Sequence, residues 1–142
     1  MLWITRPHCH VDRTASAWLI RRFVDRGASF AFAADAEAAA DMGGTPFDMR
    51  GVELGHHGGR CSFESIVLKY DLAGDRALKE LAAIVHEADL DDEKFATPEA
   101  PGLDAVVRGL GTVITDDQEL LAVTHRIYDG LYAWLKRGET AA

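Results

Sequence analysis

No apolar run in these 142 residues approaches the ~20 that a helix needs to cross a membrane. The first ten residues, "MLWITRPHCH", lack the apolar core of ~7–15 residues that a secretory signal carries, so a cytoplasmic location is expected. Cysteine is scarce. Cys9 and Cys61 are too few for a disulfide scaffold, and in a reducing compartment both are expected as thiols. Positive charge is in deficit: 15 basic residues stand against 23 acidic ones, and the net charge of −8 argues against a nucleic-acid-binding surface. There is no internal repeat, no low-complexity linker and no domain boundary, so residues 1–142 read as a single domain, long enough to bury a core.

What is present reads as strands early and helices late. "LWIT" (2–5) is a strand stopped by Pro7, and "SFAFA" (29–33) is a second. Between them "DRTASAWLIRRFVDR" places Ala15, Trp18, Leu19 and Phe23 on one helical face, with Asp12 or Thr14 as cap and Gly27 as stop. Residues 35–42 read as a short helix and "GVEL" (51–54) as a short strand. Helices follow after residue 61, over about 75–88, from Pro101 to about Leu110, and from a capping box "TDDQ" (115–118) to Gly138. The pattern predicts an α+β domain: a small mixed β-sheet in the N-terminal half and a largely helical C-terminal half.

Three stretches gather side chains that bind metals or move protons. In "GVELGHHGGRCSFES" (51–65), Glu53 and His56 offer oxygen and nitrogen ligands to one ion. Cys61 lies near a helix start and follows Arg60; both features favour thiolate, which makes Cys61 a redox candidate. The alternative is a buried, inert Cys61 packed beside Phe63, and Glu53 and Glu64 can equally be surface charges. In "RPHCHVDR" (6–13), a strand end meets a helix start, a frequent ligand position, and Asp12 is either a ligand or the helix cap. In "VHEADLDDE" (85–93), His86 and Asp89 share a helix face, while Asp91, Asp92 and Glu93 read as a solvated helix end.

The runs "HVDRTASAWLIRRFVD", "TPFDMRGVELGHHGGRCSFES", "GLDAVVRGLG" and "YDGLYAW" resemble the C-terminal domain of the chromate-resistance protein ChrB, over roughly residues 2 to 135. Asp12, Arg13, Trp18, Arg21 and Arg22 match that family's helix motif, and Glu53, His56 and Cys61 match its central loop. The resemblance implies a chromate-responsive module. It also implies that full-length relatives carry a further N-terminal part that contacts DNA; this chain has no room for it, so no nucleic acid is expected to bind this chain alone.

Two readings follow. One is a sensing or binding module for an oxyanion such as chromate, held by Arg13, Arg21, Arg22 or Arg60, or for a divalent metal ion. The other is a small metal-dependent enzyme in which Glu53, His56 and Asp12 or Asp89 hold the ion and an activated water. Asp12, Glu53, His56 and Asp89 are expected to line one pocket with Arg13 or Arg21 at its wall. A homodimer is left open.

Overall fold

The computed structural model describes residues 1–139. Its elements are β1 (Leu2–Thr5), α1 (Val11–Leu19), β2 (Ser29–Phe32), α2 (Ala36–Asp41), β3 (Thr45–Pro46), α3 (Ser62–Lys69), α4 (Arg76–Leu90), α5 (Ala100–Val113) and α6 (Asp117–Leu135). A π-helical turn, Ile20–Val24, extends α1. The fold is α+β, with the sheet at the N-terminal end and most helix in the C-terminal half.

The sheet has the order β2-β1-β3 and both pairings are parallel, where a mixed sheet was expected. The reason is the connectivity. Each pair of consecutive strands is separated by a helix, and a helical crossover returns the chain in the same direction. β3 is only two residues long and follows a Gly-Gly stop, so no alternation announces it.

The two faces of β1 bury against different layers. Trp3 joins the large core formed with α1, α3, α4, α5 and α6. Ile4 joins a smaller one with Ala33, Ala39 of α2, Met49 and Val52. Helices α1 and α2 thus cover opposite faces, and the chain crosses from one side of β1 to the other between β2 and β3. In such sheets the crevice at the carboxyl ends of the two strands flanking the switch is where ligands bind. Here those strands are β1 and β3.

Buried Trp18 anchors α1 on α6. Its ring packs on Phe23 and Tyr132 at 5.6 Å each. Its indole N–H donates to Asp129 at 2.8 Å, and Arg22 donates twice to the same carboxylate, at 2.9 and 2.8 Å. Arg22 is therefore a tie between helices rather than an anion ligand. Arg21 donates to the Ala28 carbonyl at 3.0 Å and lies over the Phe30 ring, so it too is occupied away from the carboxyl ends of the strands.

Two expected caps are replaced by tertiary contacts. The α6 N-cap is Asp116, without a side-chain cap. Gln118 instead donates to the Phe30 carbonyl at 2.6 Å, and Asp117 accepts the His8 and Cys9 backbone N–H groups. Helix α1 begins after His10, also without a side-chain cap; Asp12 lies inside its first turn and points elsewhere. No helix among the described residues is long and apolar enough to cross a membrane.

His125 of α6 is buried edge-on to Phe30, and neither ring nitrogen has a hydrogen-bond partner among the described residues. Burial, helped by the charge of Arg21, pushes its pKa down to about 4. An unfolded histidine titrates near ~6.5. As pH falls from about 6.5 towards 4, only the unfolded chain takes up this proton, so stability is lost across that window, by about 2–3 kcal/mol in all. Urea unfolding from pH 7 to pH 4.5 is expected to show this loss, with His125→Leu less affected. An unchanged slope in the variant would refute the assignment.

A candidate metal centre at the carboxyl ends of β1 and β3

The loop between β3 and α3 is held by its apolar residues. Met49, Val52 and Leu54 are buried, and the Asp48 N–H closes the loop on the Leu54 carbonyl at 2.9 Å. Residues 51–54 form turns, not the expected strand; the alternate burial of Val52 and Leu54 comes from a loop folding back on the sheet. At Gly55 a Cβ would stand 2.8 Å from the Met49 carbonyl oxygen, so the close approach requires glycine. The Gly55 carbonyl accepts the Ser65 hydroxyl at 2.6 Å, which ties the loop to α3 immediately before His56. Residues 57–60 then form a tight hairpin, bridged between His57 and Arg60, with Gly58 and Gly59 at φ 57° and 78°.

This scaffold puts His56 against Asp12. Nε2 of His56 lies 3.0 Å from Asp12 Oδ2, 3.3 Å from Asp89 Oδ2 and 3.8 Å from Asp48 Oδ1. Asp12 is buried, and its carboxylate receives the first backbone N–H groups of α3: Ser62 at 2.8 Å and Phe63 at 2.9 Å. It therefore caps a helix, but α3 rather than its own. The positive end of α3 is one reason a buried carboxylate is tolerated there. Asp48 sits in the left-handed region, φ 49°, and bonds Arg13 Nε at 2.9 Å and the Ser62 hydroxyl at 2.7 Å. Arg13 also donates to the Pro7 and His8 carbonyls, so its guanidinium is fully engaged at the wall of the site.

The charges are mutually dependent. Burial opposes ionisation of Asp12, but His56 and the Phe63 and Ser62 N–H groups outweigh it and hold its pKa below the usual value. The Asp12 hydrogen bond raises His56 to about 9, so the imidazole is a cation at neutral pH. Burial and the Asp12 charge raise Asp89 to about 6. The same two causes raise Asp48, against the pull of Arg13. Three carboxylates thus share one imidazolium and one guanidinium.

A second cluster lies at the same end of α3. Glu64 accepts the Cys61 N–H at 2.9 Å and meets His86 Nδ1 at 2.6 Å, while His86 Nε2 meets Asp92 at 2.9 Å. Neither Glu64 nor Asp92 is the free surface charge the sequence suggested. Burial works against a protonated His86, but its two carboxylates overcome it and raise its pKa.

Of the four residues expected to line one pocket, Asp12, His56 and Asp89 come together in a cluster whose ligand atoms lie within 4.8 Å of one another, with Arg13 bonded to Asp48 beside it. Glu53 is not part of it: the side chain is exposed and pairs with Lys69 at 2.9 Å. Arg60 lines a separate depression with Glu53, His57 and Lys69. Cys61 lacks the exposure that its expected reactivity requires. Its side chain is fully buried, and that burial, with the charge of Asp12, pushes the thiol pKa well up; the helix end is too weak to reverse it. Cys9 is also buried and raised, first by burial and then by Asp117. Asp48 is the member that periodicity misses; the only local signal is an aspartate just after a strand and before a glycine.

Fold and site together define a small α+β domain with a half-buried carboxylate–imidazole centre at the carboxyl end of a parallel sheet. The chain belongs to the ChrB C-terminal domain family: the family model described as "ChrB, C-terminal domain" matches residues 3–135. It is 37% identical over 130 residues to the curated "Protein ChrB" of Cupriavidus metallidurans, covering 92% of this chain and 39% of that protein. The chain therefore spans about two fifths of that relative's length. No solved structure matches the chain.

Proposed function

We propose that the chain is a chromate-resistance-associated module that binds a divalent cation through Asp12, His56 and Asp89, with Asp48 beside them. Family membership supports the chromate-resistance association. The observation that carries the cation is the spacing of the donors: 3.0 Å from His56 Nε2 to Asp12 and 3.3 Å to Asp89. Around an ion with bonds of ~2.1 Å, neighbouring donors stand about 3.0 Å apart in octahedral and about 3.4 Å apart in tetrahedral geometry. One imidazole with hard carboxylates suits Mn²⁺, Zn²⁺ or Fe²⁺. Binding exchanges the His56 proton for the ion. The expectation is one ion per chain in a calorimetric titration of chelator-treated protein with MnCl₂ or ZnCl₂ at pH 7.5. No heat and no change in melting temperature with either ion would overturn the reading.

One observation favours the enzymatic alternative. Asp89, raised to about 6, borders an open cleft of about 630 Å³. A carboxylate poised near neutrality can take a proton from a bound water. In that reading Asp12 and His56 hold the ion and Asp89 is the base. Metal-dependent ester hydrolysis that disappears in Asp89→Asn, while the ion still binds, would select it over a binding module.

A further inference from the structure

We propose that Cys61, Glu64 and His86 hold a zinc ion in a closed structural site at the start of α3, separate from the carboxylate centre at His56. The donor set and the groups that hold it carry the inference, and neither depends on an ion at His56.

One donor atom from each of the three residues lies within 4.8 Å of the other two. They are a sulfur, an oxygen and a nitrogen, the donors that tetrahedral zinc sites combine, and three of them leave the fourth position to water. Cys61 and His86 are both 0% exposed. An imidazole buried to that degree costs free energy unless partners hold it. The carboxylate centre differs in character: it contains no sulfur, and its imidazole is half-exposed.

Each donor is held by a further group. Cys61 and Glu64 cap α3 reciprocally: the Glu64 backbone N–H faces the Cys61 sulfur, and the Glu64 carboxylate accepts the Cys61 N–H at 2.9 Å. An N–H turned on a sulfur supports it as a thiolate ligand. One oxygen of Glu64 serves both this cap and the contact to His86; the other makes no hydrogen bond among the described residues. His86 comes from α4, with Phe95 edge-on to its ring at 5.0 Å. Its Nδ1 faces Glu64, while Nε2 lies 2.9 Å from Asp92. A carboxylate on the far nitrogen is what fixes the tautomer and orientation of a metal-bound imidazole. Asp92 is held there in turn. Asp91 ends α4 in the left-handed region, φ 46°, and Glu87 accepts the Glu93 and Phe95 N–H groups at 3.1 and 2.7 Å, which pins the returning loop.

The charge inventory suits a dication. Both nitrogens of His86 meet carboxylates, so without the ion each carries a proton. Zinc binding releases the Nδ1 proton and the Cys61 thiol proton, while the Nε2–H stays on Asp92. Two positive charges arrive and two protons leave, so the net charge of the buried cluster is unchanged. The helix end alone does not make Cys61 a thiolate; a bound metal does so outright. Because Cys61 and His86 have no exposed surface, the ion enters as the chain folds. A chelator acting on the native chain strips the half-exposed carboxylate centre and leaves this ion. Titration of chelator-treated native chain therefore counts the carboxylate centre alone.

Two measurements test the site. Zinc is counted by elemental analysis in chain purified from zinc-supplemented medium and dialysed, still folded, against chelator. Wild type, Cys9→Ser and His56→Ala are expected to keep about one zinc per chain, and Cys61→Ser and His86→Gln about a tenth of that or less. The chain is also unfolded in chelator and refolded with CoCl₂. Wild type and His56→Ala should then show thiolate-to-cobalt charge-transfer absorption in the near ultraviolet, which the sulfur-free carboxylate centre cannot produce, and Cys61→Ser should lack it. Serine keeps a cap at the head of α3, and circular dichroism checks that the variant has refolded. Asp92→Ala should keep the band but weaken cobalt binding by about 10–100-fold; an unchanged affinity removes Asp92 from the site. Either signal, lost in Cys61→Ser and kept in His56→Ala, supports the site. Absence of both from the wild type, survival of both in Cys61→Ser, or their loss in His56→Ala overturns it. Zinc and band persisting in a chain that takes up no Mn²⁺ support this site and remove the one at His56.

Discussion

Asp12→Ala is expected to lower the unfolding free energy by about 3–5 kcal/mol, the largest effect of any single substitution at the site. The carboxylate is 2% exposed and accepts from Ser62 N–H, Phe63 N–H and His56. Alanine leaves two buried N–H groups of the first turn of α3 without acceptors. It also leaves His56 without its closest counter-charge. Asp12→Asn keeps the shape and one acceptor oxygen, but turns an amide N–H₂ towards donors, so about half the loss is expected there. Urea unfolding with the slope compared between variants measures both. A loss within about 1 kcal/mol for Asp12→Ala would mean that the α3 N-terminus is satisfied in some other way.

His56→Ala is expected to separate binding from folding. The side chain is 48% exposed and packs into neither core cluster, so its removal costs little packing. Its loss removes the one nitrogen donor and the cation that balances Asp12, Asp48 and Asp89. Divalent-ion affinity should fall by at least about 100-fold, more than the 10–100-fold typical of losing a residue that merely orients a ligand. The far-ultraviolet spectrum should stay native. Competition against a fluorescent chelator measures the affinity. A variant that binds the ion as tightly as the wild type would place the ion elsewhere, with the Cys61, Glu64 and His86 cluster the next candidate.

The elements that carry long periodicity were legible in the sequence. The α1 and α6 stripes, the β1 strand and the α3 start near Cys61 all rest on burial patterns that local order already displays. So does the placement of Asp12 and Asp89 at element ends, which is why three of the four expected ligands meet. Glu53 fails for a reason that the spacing already holds. The alternation of Val52 and Leu54 reads the same in a strand and in a loop with both tucked inward, and in either it sends Glu53 to the opposite side, where it pairs with Lys69.

The arginines mislead similarly. The dense run in "LIRRFVDR" draws attention to Arg21 and Arg22, yet their partners, Ala28 and Asp129, are set by tertiary packing. The "TDDQ" box is a local preference overruled by contacts 88 and 109 residues distant in the chain. Cys61 shows the same ranking of forces: a helix end favours thiolate modestly, while full burial beside two carboxylates disfavours it strongly.

The most direct test of the cation centre is an anomalous-difference map from crystals of the chain grown with MnCl₂. The account predicts one strong peak at about 2.0–2.3 Å from His56 Nε2 and from carboxylate oxygens of Asp12 and Asp89. A peak bound only at Glu64, His86 and Asp92, or no peak in crystals saturated with the ion, would contradict it.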